Sequence, residues 1–347
     1  MTSVCSKCEL MLTASTRIGR VNEQSVIASL PVVVARARAN QIVVNDQDAK
    51  NPPSVFTNDG RLLRFVGRAG AGPGEFARGA GVVTISGDSV AIFDSRLKRV
   101  SIFDANWKFV RSSPSEITPY SVEQVGRDTL VGVAYRASGA QADLPLQLLD
   151  TRGQVRTSFG SGIPPALPGE RVMEQRARAG SFMTTVPGGK ICAMRRFELT
   201  LNCYSHAGRL QQALHFSMPG FVENTRARLS LTVPPPFEAR SLSALSDRLV
   251  VIAVLMPDAR WKSAIEGYAC SDGRCLRVND YDSYYDTMLI VVDVERSAIM
   301  ATKRVPQAMT YAVGKGEVGS LATVDEELEL TIWKMAFRDG TAGAAKR

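Results

Sequence analysis

The sequence predicts an all-β fold, a six-bladed β-propeller of four-stranded antiparallel blades whose last blade is closed by the N-terminal strand. Three observations predict it. A hairpin recurs at blade-sized spacing, an earlier strand pair precedes each hairpin, and an unassigned strand at the start of the chain matches one missing at the end.

Five copies of the hairpin, each an apolar strand, a polar turn and a second apolar strand, start at Val55, Ile102, Leu148, Cys203 and Val291. With Phe56, Phe103, Leu149 and Tyr204 as equivalent positions, the spacings are 47, 46 and 55 residues. Repeats of that length built from short strands mean propeller blades. The earlier strand pairs are 32–39 with 41–45, 81–85 with 89–93, 120–125 with 129–134, and 180–186 with 190–195.

The next step, Tyr204 to Val292, is 88 residues. It reads as one blade with insertions: 240–255 supplies its first two strands, 287–304 its last two, and 256–286 is an insertion in the fifth blade. A second excursion, 219–236, is rich in Pro and Arg. The last unit has strands at 310–313, 318–324 and 328–337, one short of four, before a polar tail at 339–347 that is expected to be disordered. Residues 8–18, with Leu10, Leu12 and Ala14 in alternation, supply the missing strand and would remove two exposed sheet edges.

Apolar residues make up 45% of the 347 and charged residues 22%, ordinary for a protein with a sizeable core. The longest apolar run, 249–256, is of strand length, so no membrane span is expected. The formal charge of +8 raises the question of nucleic acid. The basic residues, among them Arg36, Arg38, Arg61, Arg64, Arg68, Arg96, Arg99 and Arg111, are interleaved with strands and form no block, which argues against a nucleic-acid face.

The six cysteines fall into three close pairs. Opposed residues of an antiparallel hairpin have a constant sum of positions, which centres the turn between Cys192 and Cys203 on Phe197-Glu198 and that between Cys270 and Cys275 on Asp272-Gly273. Both pairs are therefore expected to face each other and form disulfides. The Cys5/Cys8 pair leaves a redox couple, half a zinc site or a disulfide open. No second C-x-x-C and no H-x-x-x-H occurs, which favours a disulfide or free thiols. Disulfides imply an extracytoplasmic protein, although residues 1–8 carry no export signal and taken literally read as a cytoplasmic start.

Gly67-Arg-Ala-Gly-Ala-Gly-Pro-Gly-Glu-Phe76, the strands within Gly81 to Asp94, and Arg99-Val-Ser-Ile-Phe-Asp104 resemble the NHL-repeat pattern. The chain is similar to bacterial six-bladed propeller proteins with a Gly-Pro-Gly-Glu-Phe linker after the first blade and a Cys-bearing strand near the N-terminus. It departs from the pattern at Gly79, where Pro is usual, and at Asn106-Trp107, which replaces the Gly of the last hairpin turn. Such propellers host lyases, lactonases, receptors and scaffolds alike, so the resemblance implies the fold without fixing an activity.

Some members of this group are lyases that hold a metal with several histidines at the channel mouth. The two histidines here, His206 and His215, fall in a hairpin turn and an outer strand, away from the channel. Lactonase-like members hold calcium with oxygen ligands instead. The inner-strand starts are mostly apolar or small (Val32, Gly81, Tyr120, Gly180, Thr310), with Glu123 and Glu238 nearby. The richest acidic cluster, Asp280, Asp282 and Asp286 with Tyr281, Tyr284 and Tyr285, lies in the insertion, where alternating Asp and Tyr suits a recognition surface as well as a solvated loop. No nucleophile elbow, phosphate loop or dinucleotide fingerprint occurs.

The expectation is a monomeric, exported, non-catalytic binding or scaffolding propeller without a cofactor. Its protein or small-molecule partner would meet the face bearing the 67–76 linker and the insertion, with Trp261, Tyr284, Tyr285, Asp280, Asp282 and Asp286 as contacts. The alternative is a calcium-dependent hydrolase or lyase acting in the central channel.

Overall fold

The computed structural model describes residues 4–19, 27, 30–46, 51–136, 138–225, 229–270, 273–324 and 327–340. Strand β1 (Glu9–Ile18) belongs to the last blade. Blade 1 comprises β2 (Pro31–Arg38), β3 (Gln41–Asp46), β4 (Ser54–Thr57) and β5 (Leu62–Phe65). Blade 2 comprises β6 (Gly79–Ile85), β7 (Ser89–Asp94), β8 (Arg99–Phe103) and β9 (Phe109–Pro114). Blade 3 comprises β10 (Ser121–Gly126), β11 (Thr129–Val133), β12 (Leu146–Asp150) and β13 (Val155–Phe159). After helix α1 (Val172–Arg178), blade 4 comprises β14 (Ser181–Val186), β15 (Lys190–Arg195), β16 (Thr200–Tyr204) and β17 (Leu210–His215).

Blade 5 begins with β18 (Glu238–Ala244) and β19 (Leu249–Pro257). It is interrupted by a separate hairpin, β20 (Ile265–Cys270) and β21 (Gly273–Val278), and a single helical turn, α2 (Tyr281–Tyr284), and then resumes with β22 (Tyr285–Asp293) and β23 (Ala298–Val305). Blade 6 is β24 (Met309–Gly314), β25 (Glu317–Val324) and β26 (Glu327–Arg338), completed by β1. The inner strands β2, β6, β10, β14, β18 and β24 touch one another in that order and back to β2, which closes the ring. The N-terminal closure runs from Glu9 opposite Arg338 to Ile18 opposite Leu330, with one irregularity between Ala14 and Thr16. The tail beyond Gly340 lies outside the described residues.

Burial follows position within the blade. β19 is buried along its length up to Pro257, because a second strand is covered on both faces by neighbouring blades and so reads as an unbroken apolar run. The outer strand β9 alternates between half-buried and exposed, since one of its faces meets water. Phe76 of the linker is buried and stacks on Phe103 with ring centroids 5.9 Å apart, filling the seam between blades 1 and 2. Asp94 is fully buried and accepts from the amides of Ala77, Arg96 and Leu97, tying that linker to the turn after β7.

The turn between the last two strands of a blade needs a left-handed residue, which is Gly60, Gly153 and Gly208 in blades 1, 3 and 4. Blade 2 uses Trp107 there, at φ 63°. Its indole Nε1 donates to Gln41 Oε1 at 2.9 Å, and the Arg38 guanidinium lies 4.6 Å from its ring, so contacts across the blade boundary offset the strain of a bulky residue in this region.

All three cysteine pairs are disulfides. Cys192 lies directly opposite Cys203. The insertion hairpin differs from expectation: Cys270 faces Gly273 and Cys275 faces Tyr268, so the two cysteines are not opposed and the disulfide runs diagonally across the ladder. Among the described residues, no helix is long and apolar enough to cross a membrane.

Candidate functional site: the central channel

Antiparallel order puts the connection between second and third strands, and the connection between blades, on one face, here called upper; the other hairpin turns form the lower face. The linker after β5, the segment bearing α1, and the insertion of blade 5 therefore share the upper face. Four inner strands, β2, β6, β18 and β24, are irregular near their upper ends, and three of the bulges bear on the channel. In β18, Ala239 faces Val254 and Ser241 faces Ala253, leaving Arg240 without a cross-strand partner. Val32 is skipped in β2 and Thr310 in β24 in the same way. A bulge of this kind re-aims the extra side chain. All three residues line a cavity of about 1040 Å³ in the channel, and Arg240, Thr310 and Arg196 also line a second of about 580 Å³ beneath the insertion, so the two meet at these residues.

The upper half of the channel is rich in cations and phenols. Arg196 donates through Nε to Glu238 Oε2 at 2.6 Å, and Glu238 is buried. Arg240 and Arg176 of α1, both half-buried at the cavity wall, make no hydrogen bond or ion pair among the described residues. Helix α1 overhangs this mouth and is fastened by a buried pair: Arg178 Nε and Nη2 each donate to Glu170 at 2.8 Å. Tyr311 donates to the Pro31 carbonyl at 3.1 Å and Tyr135 to the Ala179 carbonyl at 2.8 Å. Burial pushes the Tyr311 phenol up to about 12, with Arg240 drawing it the other way. Burial raises that of Tyr285 too, so both are hydroxyl donors at neutral pH.

The lower half is neutralised internally. Arg36 holds Glu317 with two bonds, Nε to Oε2 at 2.8 Å and Nη2 to Oε1 at 2.6 Å. Glu123 accepts from the Thr185 amide at 2.9 Å and its hydroxyl at 2.5 Å. Burial raises the Glu123 carboxyl above its ordinary range, opposed by the Thr185 hydrogen bonds and by Lys315.

The residues expected as contacts lie in the insertion and at the start of β22. Trp261, Tyr284 and Tyr285 are buried and pack with Leu255, Ala264, Ile265 and Ala308 into a small core that seats the insertion on blade 5. Their apolar mass is used in folding the insertion, although Tyr284 and Tyr285 still border the smaller cavity. Asp280 caps α2 by accepting from the amides of Asp282 and Ser283, Asp282 accepts from the Ala308 amide at 2.8 Å, and Asp286 accepts from Arg304 Nε at 2.7 Å. The three carboxylates thus serve three separate local purposes and do not converge. Neither His206 nor His215 lines either cavity: His206 sits against Gly189 in a lower-face turn, and His215 Nδ1 lies 3.0 Å from Thr200 Oγ1.

Among the described residues, the one group of three His, Cys, Asp or Glu ligand atoms close enough to share a cation is Cys5, Cys8 and Asp339, and its two sulfurs are bonded to each other. Sequence reasoning missed Arg240, Arg196, Arg176 and Tyr311. The available signal was the placement of Glu238 and Arg240 at the head of an inner strand, where the neighbouring strands start with apolar or small residues.

Comparison with known proteins supports the architecture. No curated protein shows significant similarity to the chain. A protein described as exported, from Bacteroides fragilis, superposes with a TM-score of 0.57 at 12% identity, over 95% of this chain and 96% of that one. A member of the DUF4221 family from Bacteroides vulgatus superposes with a TM-score of 0.58 at 10% identity, over 96% and 99%. At such identities the likeness concerns the fold alone. A family model described as 6-bladed beta-propeller matches residues 33–154, and with the six closed blades this makes the chain a six-bladed β-propeller.

Proposed function

We propose that this protein is an exported, monomeric, non-catalytic binding protein of the NHL-like kind, which takes a ligand into the central channel from the upper face. The observation that carries this reading is the meeting of two cavities, about 1040 and 580 Å³, at Arg196, Arg240 and Thr310 on the face where the insertion and α1 project. The larger is of the size that encloses a small organic molecule, and apolar residues such as Val32, Phe182 and Leu242 line it beside the charged and phenolic groups. The three disulfides support export, because such bonds persist in oxidising compartments.

The test uses Ala312, which is exposed on β24 and lines the channel. Ala312→Trp would narrow the channel from an exposed wall position, away from the packing between blades. Ligands found by thermal-shift screening of the full chain are expected to stabilise the wild type and to lose that effect in Ala312→Trp. Ligands that stabilise both proteins equally would place binding elsewhere and overturn the reading. Six free thiols found by mass spectrometry of unreduced protein from its native compartment would remove the argument for export.

A further inference from the structure

We infer that the upper half of the channel binds an oxyanion carried on an apolar body, a carboxylate or phosphate ester, through the guanidinium of Arg240. This deepens the proposed function and rests on the channel being a ligand site.

The bulge in β18 takes Arg240 out of the ladder and sets it at the junction of the two cavities. Two other guanidiniums of the channel each have a carboxylate, Arg36 with Glu317 and Arg196 with Glu238. Arg240 has none among the described residues, and the carboxylate two positions away on its own strand, Glu238, is buried and committed to Arg196. The phenol of Tyr311 already donates to a backbone carbonyl. Arg176, on the overhanging α1, brings a second guanidinium without such a partner to the same mouth.

Holding a cation half out of water without a counter-charge costs stability, and a fold tolerates that cost where a ligand later supplies the charge. A guanidinium offers parallel donors that match two oxygens of a carboxylate or phosphate, and it cannot lose its charge by deprotonation. Two unpaired cations in a low-dielectric cleft also draw anions toward it. Below them the walls include Val32, Ala35, Phe182 and Leu242, which would receive an apolar or aromatic body.

The experiment is calorimetric titration of the full chain with phenylacetate and phenyl phosphate, against neutral phenylacetamide, in wild type, Arg240→Gln and Arg240→Lys. At least one anion is expected to bind at least tenfold more tightly than the amide, with tenfold or more lost in Arg240→Gln and an intermediate loss in Arg240→Lys, which keeps the charge but not the fork. Circular dichroism checks that each variant is folded, and Arg240→Lys serves alone if Arg240→Gln is not. The two anions separate carboxylate from phosphate recognition.

Equal affinity for anion and amide, no anion binding, or anion binding unchanged in the variants would overturn the inference. Nile red, a neutral apolar dye, separates the two levels. If it enters the wild-type channel, is excluded by Ala312→Trp, and anions do not bind, the anion inference fails while the ligand reading stands. If neither dye nor anion enters, both fail.

Discussion

At the lower end of the channel Arg36 is clamped by both oxygens of Glu317, whereas at the upper end Arg240 has no carboxylate among the described residues. Both arginines stand on inner strands and both line the same cavity. The difference lies in what surrounds them. Gly314 lets the first turn of blade 6 come close to Arg36, and Glu317 follows just beyond it, so the lower pair joins blade 1 to blade 6. The upper arginine sits on a bulge, and the one carboxylate near it on its strand serves blade 4 through Arg196. The Arg36–Glu317 pair at the lower end joins two blades; the Arg240 guanidinium at the upper end has no such partner among the described residues.

The largest test of this contrast removes one charge at each end. Glu317→Ala leaves Arg36 unpaired in a mostly buried position, a change that typically costs about 3 kcal/mol, and thermal unfolding is expected to show it as a drop of several degrees. Arg240→Met is expected to be neutral or stabilising in the same measurement, because it removes a charge that nothing in the fold compensates. Equal costs would dissolve the distinction between the two ends.

A smaller effect is expected from Thr185→Val, which deletes the hydroxyl donor to Glu123 while keeping the amide donor. Loss of one hydrogen bond to a carboxylate predicts a destabilisation of about 1 to 2 kcal/mol while the carboxyl is ionised, read by chemical denaturation, and less below the ordinary glutamate range, where it is protonated. A pH-independent loss would mean that Thr185 acts through packing alone.

The smallest effect concerns Glu123 itself. Its folded pKa is raised by burial, so the native state holds the proton more tightly than the unfolded chain. Stability from this group is therefore greatest below the ordinary glutamate pKa and declines as pH rises from there through the folded pKa. Glu123→Gln should flatten that decline in denaturation curves taken between pH 4 and pH 8. An unchanged slope would assign the decline to other groups.

The fold was legible because propeller blades repeat. The spacing from Phe56 to Phe103 to Leu149 and the strand 8–18 together implied the ring and its closure; Phe56, Phe103 and Leu149 are buried, and residues 9–18 pair with the last blade. The insertion was legible as a segment but not in its chemistry. Its Tyr and Asp residues read as a recognition surface or a solvated loop, whereas a long loop on a blade must also build a core of its own, into which Trp261, Tyr284 and Tyr285 pack. The site was illegible for a different reason. Whether Arg240 points into the channel depends on a one-residue slip in β18 relative to β19, and composition and periodicity carry no sign of such a slip.

Closure by the first strand has a mechanical consequence. Glu9 lies opposite Arg338, so the chain enters β1 and leaves β26 at the same end of their shared ladder. Opposed forces on those two points would load the hydrogen bonds one at a time, as in peeling, and would not share the load among them as shear does. The seam that completes the ring is thus the place where it opens under tension, starting at Glu9 and Arg338 and running toward Ile18, with the other five blades intact behind it.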